Sequence, residues 1–231
     1  MNSQTIYLVH NAGVTRVFTK LMIITVSLLM ATVVSASSIT DEIRLLVEEN
    51  TVSLMAKLEQ EKSSYATDPE HFYREMDAAL SELVSFRRIA GRVMGKHARK
   101  ATKQQRSRFL IVFKRSMYES YSKALVESSV ASMEVKKVTM NPRSNENATV
   151  NIKVTSESGN QYDIAYSVFH DRSGSWMVEN VVVSGINVGL AFRDRFNQAY
   201  RENKGDIDAV IATWSTTLEV EDEASQGLAI K

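Results

Sequence analysis

Cysteine is absent from the 231 residues. That excludes a disulfide framework and a thiolate metal site. Histidine is scarce: His10, His71, His97 and His170 are far apart in the chain, and none forms a helical pair of the kind that holds zinc. The last three are expected at surface or boundary positions. There is no GxSxG elbow, no phosphate-cradling glycine loop and no paired-carboxylate motif. Net charge is also nearly absent, at +1, so nothing calls for nucleic acid as a partner. No catalytic residue, metal ligand or cofactor is expected. Asn147-Ala148-Thr149 matches a glycosylation acceptor, a tripeptide that arises often by chance.

Long apolar runs are scarce too. The longest, LMIITVSLLMATVV at 21–34, follows Arg16 and Lys20 and leads to Val34-Ser35-Ala36. About 14 residues fall short of the roughly 20 needed to span a hydrocarbon core. Small side chains stand where a signal peptidase requires them. Residues 1–36 are therefore read as an export signal, with an uncleaved anchor as the alternative. Removing them leaves a net charge of −1.

What remains is patterned first as helix and then as strand. Thr40 is placed to cap a helix with Asp41 and Glu42 in its first turn; Ile43, Leu46, Val47, Met55 and Leu58 trace its apolar face. Asp68-Pro69 opens a second helix, and a third runs from Phe86 to Gly95. Thr102 and Gln105 form a capping box ahead of a long helix striped by Phe109, Phe113, Met117 and Tyr121. From about Met133 the period changes to two. Strands are expected at Val150–Val154, Tyr162–Val168 and Trp176–Val182, with a weaker one at Val135–Met140, joined as antiparallel hairpins. Two helices close the domain, one lined by Phe192 and Phe196 and ended by Gly205, the other capped by Asp206 and facing inward through Ile207, Val210, Ile211, Trp214 and Leu218. The expected organisation is one α+β domain at 37–218 followed by an acidic, disordered tail at 219–231. In it, N-terminal helices and a long central helix pack on a four-stranded antiparallel sheet.

One charge feature is unusual. Between Arg87 and Arg115 lie eleven lysines and arginines and no acid. They either offset the acid-rich preceding helices or form a basic rim for anionic headgroups or an acidic partner.

Ile89-Ala90, Val93-Met94-Gly95, Ala101-Thr102, Gln105-Arg106, Phe109, Phe113 and Tyr121 fall in an order that resembles the MlaC (toluene-tolerance) family. So do Trp176, Gly185-Ile186, Arg193, Phe196 and Gly205-Asp206-Ile207-Asp208. The chain departs from the family pattern after Gly95, where His97 and Ala98 replace aromatic residues, and at Asn180, where an aspartate is common. The resemblance implies a periplasmic carrier that is not an enzyme. It would hold phospholipid in an internal hydrophobic cavity and move it between an outer-membrane lipoprotein–porin complex and an inner-membrane transporter bearing MCE domains, maintaining outer-membrane lipid asymmetry. The cavity is expected between sheet and helices. Its candidate lining is Ile152, Tyr166, Val168 and Val182 from the strands, and Phe109, Phe113, Met117, Tyr121, Phe192 and Phe196 from the helices. Two other readings stay open. One is an enzyme or binder of a small hydrophobic substrate on a nuclear-transport-factor-two-like scaffold, with Asp163 and His170 as its only polar candidates. The other is an interaction module with a filled core.

Overall fold

The structure is a computed structural model describing residues 38–127 and 130–214. The expected export segment, Leu218 and the acidic tail lie outside the described residues. Helices α1 (Ile39–Glu61), α2 (Ser64–Thr67), α3 (Pro69–Leu83) and α4 (Phe86–Met94) come first. A 3₁₀ turn (Gly95–Arg99) leads to α5 (Lys103–Glu127). Strands β1 (Val130–Asn141), β2 (Ser144–Ser156), β3 (Gln161–His170), β4 (Trp176–Val183) and β5 (Ile186–Asn187) precede α6 (Val188–Glu202) and α7 (Ile207–Trp214). The α+β class holds, with a short fifth strand added.

Local chemistry sets most boundaries. The cap of α1 is Ser38, two residues before the expected Thr40: Ser38 Oγ accepts from the Asp41 N–H at 3.2 Å while the Asp41 carboxylate accepts from the Ser38 N–H. This reciprocal pair satisfies two otherwise free amide donors. The Thr102–Gln105 box forms as expected, at 2.9 and 3.1 Å, and Asp68 caps α3 at the N–H of His71. Helix α6 ends at Glu202, before Gly205. Lys204 and Gly205 both have positive φ, and the Gly205 N–H returns to the Tyr200 carbonyl at 2.8 Å. Asp206 Oδ1 then accepts from the Asp208 and Ala209 N–H groups to start α7.

The sheet is antiparallel in the order β1-β2-β3-β4-β5. Ser184 and Gly185, at φ 48° and 87°, make the two-residue turn between β4 and β5. Two consecutive positive φ values match the right-handed strand twist, which is why such hairpins favour glycine. One face of the sheet is apolar across its width, through Val135, Ala148, Val150, Ile152, Val154, Val168, Trp176 and Val178. Ile43 and Val47 of α1 and Leu83 at the end of α3 close over it. Arg44 of α1 also donates to the Val135 carbonyl.

A bulge in β4 changes the strand's phase. Val168 pairs with Val178 but Ser167 pairs with Asn180, leaving Glu179 as the extra residue. Val181 and Val183 therefore join Trp176 and Val178 on the inner face, opposite Tyr166 and Ile164. Val182 pairs with Ala165 on the outer face, a correction to simple alternation.

Candidate functional site: two apolar clusters and their seam

The interior is divided. Beside the sheet cluster lies a second cluster built from α3 to α7 and the C-terminal half of α1, centred on Phe72, Met76, Phe109, Phe113, Phe196 and Trp214. Phe109 meets Phe196 at 5.0 Å and Trp214 at 5.1 Å, both edge-on, and Phe113 meets Phe192 at 5.5 Å in the same way. Edge-to-face packing uses the ring quadrupoles favourably. The indole N–H of Trp214 donates to Ser116 Oγ at 3.0 Å, and that hydroxyl donates to the Phe113 carbonyl at 2.9 Å. This cluster is a filled core.

The ten expected lining residues separate accordingly. Phe109, Phe113, Phe192 and Phe196 are buried in the aromatic cluster, and Met117 and Tyr121 are half-buried against it. Ile152 and Val168 are buried in the sheet cluster with half-buried Tyr166 packed on them. Val182 stands apart on the outer face. It lines a shallow depression of about 310 Å³ that Ile152 of the same candidate set also reaches, with Ile164, Lys136, Asn151, Asp163, Ala165 and Gly185.

Val84 packs against both clusters. It forms a β-bridge to Val178, and the Ser85 N–H donates to the Val178 carbonyl at 2.9 Å. A second depression, about 110 Å³, opens where the clusters adjoin. It is lined by Met55, Leu58, Val126 and Val130, with Glu59, Lys62 and Glu157 at its polar edge. Sequence periodicity marked Met55 and Leu58 as helix-face residues. It could not show that one face of α1 serves both clusters, with Ile43 and Val47 on the sheet and Leu58 among the helices.

Titratable groups beyond Glu59, Lys62 and Glu157 are few near the two clusters. Burial raises the Tyr166 phenol above its ordinary pKa, and does the same for Tyr121 against the opposing influence of Arg195. Tyr118 is raised by burial and then by its hydrogen bond to Asp77. No group of three or more metal-ligating side chains occurs among the described residues. Asp163, the acid considered for a catalytic pocket, is exposed and paired with Lys153 at 3.4 Å. His170 packs on Trp176.

Of the eleven cations in the basic run, five are ion-paired and six have no ion pair among the described residues. Of those six, Arg87 is exposed and Arg106 donates to the Ala98 and Ala101 carbonyls. Arg88 and Arg92 hold Glu179, Arg108 holds Asp208, Lys114 holds Asp77, and Arg115 holds Glu70 and Glu119. Lys96, Arg99, Lys100 and Lys103 are exposed and have no ion pair among the described residues. His97, expected near the surface, is instead buried, at 5% exposure. Its Nε2 lies 3.1 Å from Asn197 Oδ1, its ring sits 3.8 Å from that of Tyr200, and its Nδ1 has no partner.

Fold and site together define an α+β domain whose notable interior is a jointed apolar compartment, with the titratable groups kept mainly to the periphery. Comparison with known proteins then identifies the lineage. The family described as MlaC protein matches residues 48–216, and the chain belongs to that family. It is 34% identical over 174 residues to the toluene tolerance protein ttg2D of Pseudomonas putida, covering 74% of this chain and 78% of that protein. Its fold is similar to a phospholipid-binding protein from Ralstonia solanacearum, solved in complex with a phospholipid. The TM-score is 0.66 at 17% identity, over 81% of this chain and 98% of the other.

Proposed function

We propose that this protein is a periplasmic phospholipid-binding shuttle, a binder with no reaction of its own. It carries lipid between an outer-membrane lipoprotein–porin complex and an inner-membrane MCE-domain transporter, and so maintains outer-membrane lipid asymmetry. The observation that carries the reading is the continuous apolar face of the sheet, closed by α1 and the end of α3 and bordering a separately packed aromatic core. Membership of the MlaC family and a fold shared with a phospholipid-binding protein support it. No helix among the described residues is long and apolar enough to cross a membrane.

The seam's depression of about 110 Å³ is below the ~300 Å³ at which small-molecule pockets begin. Loading therefore requires the layers to part. In this reading α1 lifts from Val135, Val150 and Ile152, and the acyl chains take its place against the sheet. Tyr166 and Val168 line the bed, Met117 and Tyr121 border it, and the four phenylalanines stay packed as the fixed wall. Each methylene removed from water gains about 0.8 kcal/mol. Exposing Ile43 and Val47 would cost on the order of 3–6 kcal/mol, which a few methylenes offset. A bilayer offers the chains a similar gain, so the net preference is small and hand-over can proceed without hydrolysis.

The test is native purification followed by mass spectrometry of extracted lipid, with vesicles offered to any lipid-free fraction. Co-purified glycerophospholipid, or its uptake from vesicles, is the expected outcome. Protein that arrives empty and takes none up would refute the assignment.

A further inference from the structure

We propose that the cationic turn between α4 and α5 is a contact surface for an anionic lipid bilayer, separate from the apolar interior that holds cargo. Gly95, at φ 55°, ends α4 and starts the 3₁₀ turn. His97 then anchors the turn by inserting its ring between Phe196 and Tyr200 and bonding Asn197. Ala101 is buried beyond it, and the Thr102–Gln105 box fixes the start of α5. Lys96, Arg99, Lys100 and Lys103 are left exposed on this pinned segment. The Arg193 side chain packs against Gly95 and adds an exposed cation beside it.

Three observations point to a diffuse anionic surface. The arrangement opposes the helix's own electrostatics: α5 has no acid in its first turn and begins with Lys103, where the macrodipole disfavours positive charge. Next, neighbouring cations of the same run are neutralised by Glu179, Asp208, Asp77 and Glu70, whereas Lys96, Arg99, Lys100 and Lys103 have no ion pair among the described residues. Finally, the paired cations of the run are one lysine and four arginines, whose planar forks suit a defined carboxylate, whereas the four cations without an ion pair on this turn are three lysines and Arg99. Lysine is a compact, hydrated point charge suited to a field of headgroups more than to a single bidentate partner. Each cation brought near an anionic leaflet strengthens association about fivefold, so four together supply several hundredfold.

The full-length protein, as recovered from the cell, is sedimented with vesicles of phosphatidylcholine alone or with about one third phosphatidylglycerol. Binding is expected only with the anionic lipid and is lost at high salt, because screening shortens to roughly 3 Å at 1 M. Joint K96Q/R99Q/K100Q/K103Q substitution should weaken it at least a hundredfold, while K136Q/K137Q on β1 leaves it within about twofold. Thermal melting of each variant establishes that the fold is retained, and the salt response of the unmodified protein tests the surface without any substitution. Equal binding to both vesicles, or by both variants, overturns the proposal. So does a quadruple variant that loses only an acidic protein partner. Lipid extracted from the same preparations reports on the interior independently, and its content should not change with the surface charges.

Discussion

Arg88 of α4 donates to the carboxylate of Glu179, a residue 6% exposed at the bulge of β4. Arg92, one turn further along, takes the other carboxylate oxygen. The extra residue of the bulge thus adds a side-chain tie between the sheet and the helical layer. Both guanidinium groups are about half exposed, so much of the interaction is screened by water. Glu179→Ala is expected to destabilise the protein by about 0.5–1.5 kcal/mol through loss of the hydrogen bonds it accepts, since the half-exposed arginines left behind can be hydrated. Urea unfolding measures this, and a change within error would show that the pair is dispensable.

His97 gives a pH signature. Burial holds its imidazole below the ordinary value of 6.5, more strongly than the Asn197 contact raises it. The unfolded chain therefore binds this proton more readily than the folded one. The contribution of neutral His97 is complete above about pH 6.5 and declines as the pH falls toward the lower folded value. His97→Phe should keep the ring contact with Tyr200, remove the unpartnered Nδ1 and flatten this part of the stability profile. His97→Ala should cost about 1–3 kcal/mol through lost packing. Unfolding midpoints compared at about pH 7.5 and 5.5 distinguish these outcomes.

Cargo entry is tested by fastening α1. The sequence lacks cysteine, so a cysteine pair introduced between α1 and β1, which pack together, at positions with Cα atoms within about 7 Å, is free of competing disulfides. Oxidised protein should take up at least tenfold less lipid from vesicles, and reduction should restore uptake. Unchanged uptake by the cross-linked form would place the entrance elsewhere.

Gly189 tests the start of α6. Its N–H donates to Asn180 Oδ1 at 3.1 Å, and an added Cβ would fall 2.3 Å from that oxygen. Gly189→Ala must displace Asn180 and is expected to cost about 1–3 kcal/mol, despite alanine's better helix propensity. Pairing it with Asn180→Ala should recover part of the loss. The double-mutant cycle supplies the measurement.

Local signals in the sequence were sufficient for much of this architecture. The Asp68 and Thr102 caps and the period-two strands all depend on residues within a few positions of one another. Val182 was misplaced because a bulge reverses strand phase, and no residue near Glu179 announces one. The candidate lining was only partly legible for a similar reason. Phe109 and Tyr166 both lie on apolar faces, but tertiary packing sends one into the aromatic cluster and the other to the sheet. The burial of His97 likewise has no local signal in the sequence. The family places aromatic residues near this position, and the imidazole fills an aromatic role against Tyr200.

The division of the interior at Val84 has a mechanical consequence. A single continuous core would lose cohesion throughout if wedged open, whereas a divided one allows one compartment to swell while the other serves as a keel. Under the proposed function, emptying and filling would then be local events that leave the rest of the molecule folded.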